Sequence, residues 1–319
     1  MKRVAKFAKK IFNKPSSLVT GGGLYATLEE LVEQKKYIPY LHSTKKKITS
    51  NQSGEIRSVF KGRGMEFEEI RPYTFGDDIR DIDWRVTARK LSPYTKLFAE
   101  EKDREIYVFL DMSPSMLFGT KKELKTVTVA KIAAMLGWVS LENKDRFGAV
   151  IYDGINTFVY KPQNTRNGLL VLLNKIAEVS QKILKNKNSS LNAETLNKSL
   201  FSLQNAVKGK AVVFVLSDFD DISDNMQKSI SMLARRSSLI CVNVLDVLEQ
   251  NPPVSGEYMA ESGGEKVVFD SSSRVFRADY RAYFQKQRNN FKIFCKKFSC
   301  QYIEIRTDLP LHTQLKDIY

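Results

Sequence analysis

The sequence predicts an α/β protein: a doubly wound, mostly parallel sheet preceded by a small β-rich element. Three observations carry this expectation. Ile106–Leu110 and Ala211–Leu216 are unbroken apolar runs of strand length, and Leu239–Leu245 is apolar but for Asn243, the kind buried on both faces of a parallel sheet. They alternate with longer segments of helical periodicity, which is the rhythm of strands joined by crossover helices. The composition of the 319 residues, 42% hydrophobic and 27% charged, is that of a globular chain and excludes a disordered or fibrous one.

Three regions follow in order: a basic tail over residues 1–23, a β-rich region over 24–104, and the α/β domain over 105–319. In the tail, Val4, Phe7, Ala8, Ile11 and Phe12 recur at helical spacing with Lys2, Lys6, Lys9 and Lys10 between them. Residues 1–14 can therefore lie on an anionic membrane surface, the plainer reading being a solvated end. After Gly21-Gly22-Gly23 a short helix is expected over Leu24–Gln34, then a polar loop. Residues 56–98 read as short extended pieces punctuated by Gly62, Gly64, Pro72, Gly76 and Pro93.

In the larger region the first buried strand is followed by a helix over 121–142. A hairpin of 146–152 with 155–160 turns at Asp153-Gly154. Helices are expected over 166–185, 193–207, 224–236 and 279–298, and strands over 266–269 and 301–306. Gly and Pro mark 250–264 as a loop.

The formal charge is +15, but residues 1–64 hold 14 Lys/Arg against 4 Asp/Glu, so the body of the chain is nearly balanced. With no helix-turn-helix or stacking motif, no nucleic-acid partner is expected. No apolar run approaches the ~18–20 residues of a membrane span, and the start lacks the apolar core of a secretory signal. The expected location is cytoplasmic, peripheral at the inner membrane face if the tail docks. Cys241, Cys295 and Cys300 are sparse and lack C-x-x-C spacing, which suits a reducing compartment and argues against a thiolate zinc site. His42 and His312 have no triad-like or metal-ligand neighbourhood.

Ligands of open α/β sheets sit beyond the carboxyl ends of the strands. Two buried strands end there in acidic, hydroxyl-bearing loops, Asp111-Met112-Ser113-Pro114-Ser115 and Ser217-Asp218-Phe219-Asp220-Asp221. Oxygen donors without nitrogen or sulfur select Mg²⁺, Mn²⁺ or Ca²⁺. The plainer alternative is that these residues are helix N-caps.

The Asp-x-Ser-x-Ser loop resembles the metal-ion-dependent adhesion site of von Willebrand factor A-type domains. There two serines and a threonine bind the metal, aspartates orient its waters, and an acidic side chain of the partner completes the shell. The resemblance implies Asp111, Ser113, Ser115 and Asp218 as metal-site residues. Ser190 would fill the threonine position, with Ser189 and Thr195 as rivals. The expected cofactor is Mg²⁺, or Mn²⁺ or Ca²⁺ in its place, weakly held.

A second segment is more specific. Residues 62–89 interleave Arg71, Arg80, Arg85 and Arg89 with Asp77, Asp78, Asp81 and Asp83 around Trp84, and Leu97-Phe-Ala-Glu-Glu-Lys-Asp-Arg-Glu105 and Arg306-Thr-Asp-Leu-Pro310 follow. Together they closely resemble the signature of domain-of-unknown-function family 58, whose members pair this block with an A-type domain. Physically the block reads as a salt-bridge knot around Trp84. The resemblance implies a MoxR-type AAA+ ATPase as working partner and an acidic protein ligand. The expected function is a non-enzymatic interaction module acting in chaperone-like assembly. The alternative is a metal-dependent phosphohydrolase or phosphotransferase, for which neither histidine and no second aspartate after Asp111 offers a base.

Overall fold

The computed structural model describes residues 23–42, 66–90, 92–99, 104–185, 193–220, 222–262 and 265–315. The chain divides into two compact units, one within Met1–Arg57 and Arg104–Tyr319 and the other within Ser58–Asp103. Residues 1–22 of the basic tail lie outside the described residues.

The larger unit begins with α1 (Leu28–Glu33) and, after a 3₁₀ turn, α2 (Ile38–His42). A capping box starts α1: the Thr27 hydroxyl accepts from Glu30 N–H and the Glu30 carboxylate accepts from Thr27 N–H. Leu31 is buried, and its carbonyl accepts from the Trp138 indole at 3.1 Å. Ala26 N–H donates to Ser180 Oγ at 2.9 Å. Through these bonds the helix expected over 24–34 packs with the larger unit, so the expected 24–104 region divides between the two.

The small unit is a hairpin, β1 (Glu66–Pro72) against β2 (Tyr94–Ala99), with α3 (Trp84–Lys90) between them. The Arg/Asp block is not a knot around Trp84, whose side chain is 67% exposed. Its aspartates mostly hold backbone. Asp78 accepts from Arg80 N–H, and Asp83 accepts from the N–H groups of Arg85 and Val86 at the start of α3. Asp83 pairs with Lys96 at 3.2 Å rather than with an arginine. Arg71 reaches Asp77 at 2.7 Å, and the Thr74 N–H, with Arg71 beside it, holds the Asp77 carboxyl below the usual range. Short aspartates satisfy nearby N–H groups more cheaply than they order long arginine side chains at an exposed surface.

In the larger unit the order is β3 (Glu105–Asp111), α4 (Lys125–Glu142), β4 (Arg146–Tyr152), β5 (Thr157–Gln163), α5 (Arg166–Lys185), α6 (Ala193–Ala206), β6 (Ala211–Ser217), α7 (Asp224–Arg236) and β7 (Ser238–Leu245). Next come β8 (Glu257–Ser262), β9 (Glu265–Asp270), α8 (Arg274–Lys297), β10 (Gln301–Arg306) and α9 (Leu311–Gln314). Six strands form one sheet in the order β10-β7-β6-β3-β4-β5, parallel except for β5. This is the expected mostly parallel α/β sheet.

Alternation along β3 sends Tyr107 and Phe109 to one face, where they pack with Val213, Val215, Leu203, Ile230 and Phe291. All three cysteines are buried in that same cluster and none is in a disulfide. On the opposite face lies α4, buried nearly all round from Lys125 to Ser140, as a helix covered by a sheet on one side and by other helices on the other must be.

Two expectations are corrected. The 250–264 segment is not a loop throughout: β8 pairs antiparallel with β9 in a hairpin outside the main sheet. That hairpin is held by stacked rings, Tyr258 on Phe269 and Phe269 on Phe276 of α8, which Gly and Pro punctuation conceals. The helix expected at 279 begins at Arg274, because the Ser273 hydroxyl caps it by accepting from Phe276 N–H. Among the described residues no helix is long and apolar enough to cross a membrane.

Candidate metal centre

The chain runs from β3 outward to β4 and β5, then returns to add β6, β7 and β10 on the other side of β3. The reversal falls between β3 and β6, where loops leave in opposite directions and open a crevice. Register brings the two acidic loops together there, since Leu110 pairs with Leu216, so Asp111 and Ser217 leave the sheet at one level.

Asp111 is 2% exposed. Its Oδ1 accepts from Ser113 N–H at 3.0 Å and its Oδ2 from the Ser217 hydroxyl at 2.6 Å. Burial, reinforced by the negative Asp218, pushes its carboxyl up to about 6 against those bonds. The sign follows. Between about pH 4 and 6 the unfolded chain loses this proton while the folded chain keeps it, so stability falls as pH rises through that window. With chelator present, the urea midpoint of wild type should drop from pH 4 to 6 more steeply than that of Asp111→Asn. The difference should be on the order of 3 kcal/mol.

Ser113 Oγ and Ser115 Oγ are 3.1 Å apart. Ser113 precedes a 3₁₀ turn over Pro114–Met116 but makes no side-chain cap bond to it, and α7 is capped by Ser223. The acidic loops are therefore not helix caps. Asp218, 7% exposed, accepts from Asp220 N–H at 3.3 Å. Phe219, next to it, has φ +46, a left-handed conformation costing about 1–2 kcal/mol in a non-glycine residue. Its ring is held against Phe291 at 4.2 Å, and its N–H donates to Ser217 Oγ.

Ser190 and its rival Ser189 lie outside the described residues. Thr195, the other candidate, is 2.6 Å from the Tyr152 hydroxyl. Tyr152 pairs with Asp111 across the sheet, and its carbonyl accepts from Met112 N–H, so Thr195 stands one side chain from the first loop. The Asp153-Gly154 turn presses on the same loop. Gly154 has φ +95, and a Cβ there would meet Pro114 Cδ at 2.7 Å. Gly154→Ala should cost about 1–3 kcal/mol in urea unfolding, because the new Cβ must push Pro114 and the loop that carries it aside.

Several residues of this edge escape sequence reasoning. Lys125, the first residue of α4, is 0% exposed. Its Nζ lies 2.5 Å from Glu249 Oε1 and 3.5 Å from Asp218 Oδ2. Glu249 Oε2 accepts from Asp246 N–H, and Asp246 in turn accepts from Thr120 N–H, the Thr120 hydroxyl and Thr307. A chain of charged bonds thus joins the ends of β6, β7 and β10 to the loop before α4. Among the described residues no group of three or more His, Cys, Asp or Glu side chains is arranged to hold a metal ion. An ion here would depend on hydroxyl oxygens as well.

The model of the family described as "Protein of unknown function DUF58" matches residues 69–290. The chain belongs to this family. Similar proteins include the uncharacterized protein Mb1516 of Mycobacterium bovis and the uncharacterized protein Rv1480 of Mycobacterium tuberculosis. Each is 24% identical over 267 residues, 83% of this chain and 82% of the relative. Among solved structures, the crystal structure of conserved hypothetical protein BatB from Bacteroides thetaiotaomicron aligns with 67% of this chain and 97% of its own. The identity is 12% and the TM-score 0.36.

Proposed function

We propose that this DUF58 protein is an interaction module in which a divalent ion, held at Ser113 and Ser115, captures an acidic side chain of a partner protein. The observation that carries the reading is the hydroxyl pair. Neighbouring ligands of an octahedral Mg²⁺ stand about 3 Å apart, and the two Oγ atoms are 3.1 Å apart, with Ser113 not engaged in capping. Asp111 and Asp218 would hold waters of the ion, and a hydroxyl from Ser190, Ser189 or Thr195 would add a third protein ligand. Mg²⁺, Mn²⁺ and Ca²⁺ suit such oxygens. The bound ion would supply the positive charge that a carboxylate can approach.

The family resemblance extends the proposal to a MoxR-type AAA+ ATPase as the working partner in chaperone-like assembly. These 319 residues hold no Gly-Lys-Ser/Thr phosphate loop, so the ATP-binding site would lie outside them. The hydrolase reading is less well served. Position 113, two residues after Asp111, is a serine and not a second aspartate, and His312 is stacked on Tyr37, so neither offers a base there.

The test is a pull-down with and without chelator, using wild type and Asp111→Ala. The expected result is an acidic partner retained by wild type in Mg²⁺ and released by chelator, and not retained by the variant. Retention indifferent to both chelator and substitution overturns the proposal. Metal-dependent turnover of a phosphate ester, lost in Asp218→Ala, would favour the enzyme.

A further inference from the structure

Lys125 stands where a cation is costly on two counts. A cation at the first position of a helix opposes the helix dipole, and a lysine with no exposed surface is rare unless paired. Its ammonium is nevertheless fixed between Glu249 at 2.5 Å and Asp218 at 3.5 Å, with the Phe118 ring 5.7 Å away. Asp218 is one of the two carboxylates that the proposed metal reading uses. The same carboxylate therefore faces a positive charge that the chain itself supplies.

We infer that Lys125 is the built-in cation of this site, neutralising Asp218 in competition with the divalent ion and so setting how tightly that ion is held. The inference rests on the proposed metal reading and deepens it. Asp111, Asp218 and Glu249 carry three formal negative charges and Lys125 one positive charge. The ion thus finds a negative site, but one carboxylate is already committed. Metal held weakly by the chain alone is completed when a partner carboxylate enters the shell, so ion and partner are captured together. Glu249 tunes the competition, because its pull on Lys125 relaxes the lysine's hold on Asp218.

The decisive variant is Lys125→Met/Glu249→Gln. It removes one charge of each sign, leaves the net charge unchanged, and takes away the ammonium without stranding Glu249. Mn²⁺ binding is measured by titration calorimetry on the full chain. The double variant should bind Mn²⁺ about tenfold or more tighter than wild type, since a unit charge within 4 Å is worth at least that at an intermediate dielectric. Affinity equal to or below wild type overturns the inference while leaving the metal site standing. Absence of Mn²⁺ binding in both wild type and the double variant removes the metal reading and the inference with it. Should the double variant not fold, Glu249→Gln alone, which keeps the ammonium and leaves it to Asp218, is read by thermal melting. Mn²⁺ should raise its midpoint less than that of wild type, because Lys125 then holds Asp218 alone, and an equal or larger rise overturns the inference.

Discussion

Asp111→Ala is expected to lower Mn²⁺ affinity by about 100-fold in calorimetry, the upper range for losing a carboxylate that orients a metal's surroundings. The loss should come without unfolding. Removing the side chain leaves Ser113 N–H and the Ser217 hydroxyl without their acceptors, a cost of about 1–3 kcal/mol for each group. It also removes a buried carboxylate whose ionisation at neutral pH is itself unfavourable, and the two effects oppose each other. Ser115→Ala, which deletes one hydroxyl of the pair at a half-buried position, should weaken Mn²⁺ about tenfold and leave the urea midpoint near that of wild type. Equal Mn²⁺ binding by wild type and Asp111→Ala would sink the site. A loss in Asp111→Ala together with full binding by Ser115→Ala would move the ion away from the hydroxyl pair.

The part of the fold that is legible in the sequence is the part fixed by one-dimensional signals. Val108, Phe109 and Leu110 announce a strand buried on both faces, and the Asp153-Gly154 turn announces an antiparallel edge; both are found where expected. Asp111 and Asp218 can be paired despite their separation in the chain because strand ends of a doubly wound sheet converge at the reversal of strand order. What cannot be read depends on where a helix sits in three dimensions. Lys125 has the local sequence of a solvated helix start, since Lys121 and Lys122 precede it and Thr126 follows. Only the packing of α4 against the sheet, covered by α1 and α5, converts that lysine into a buried one. Asp246 and Glu249 are hidden in the same way, in a short turn after β7 whose register nothing local reveals. The Trp84 block shows the opposite failure: its regular interleaving of charges suggests pairing, yet isolated surface pairs gain little and the aspartates turn to nearby N–H groups.

Lys125→Met is expected to destabilise the protein by about 3–5 kcal/mol in metal-free urea unfolding, the range for removing one member of a buried ion pair. The size comes from the carboxylates stranded by the substitution, more than from the attraction they had enjoyed. Methionine fills nearly the same volume, and α4 gains by losing a cation at its N-terminus. Glu249, 2% exposed, and Asp218 would then remain as buried carboxylates without the ammonium. Glu249 would still accept the Asp246 N–H, but one hydrogen bond offsets only part of the cost of a buried charge. Glu249→Gln in the same background should therefore recover more than half of the loss, because an amide at that position carries no charge to strand. The two substitutions are thus expected to be strongly non-additive, with a coupling energy of about 2–3 kcal/mol from a double-mutant cycle. Simple additivity would mean that the 2.5 Å pairing of Lys125 with Glu249 contributes nothing in solution. Strong coupling would identify a charge network that is costly to build inside a core, and one that an apolar residue at position 125 could replace if stability were all the site had to provide.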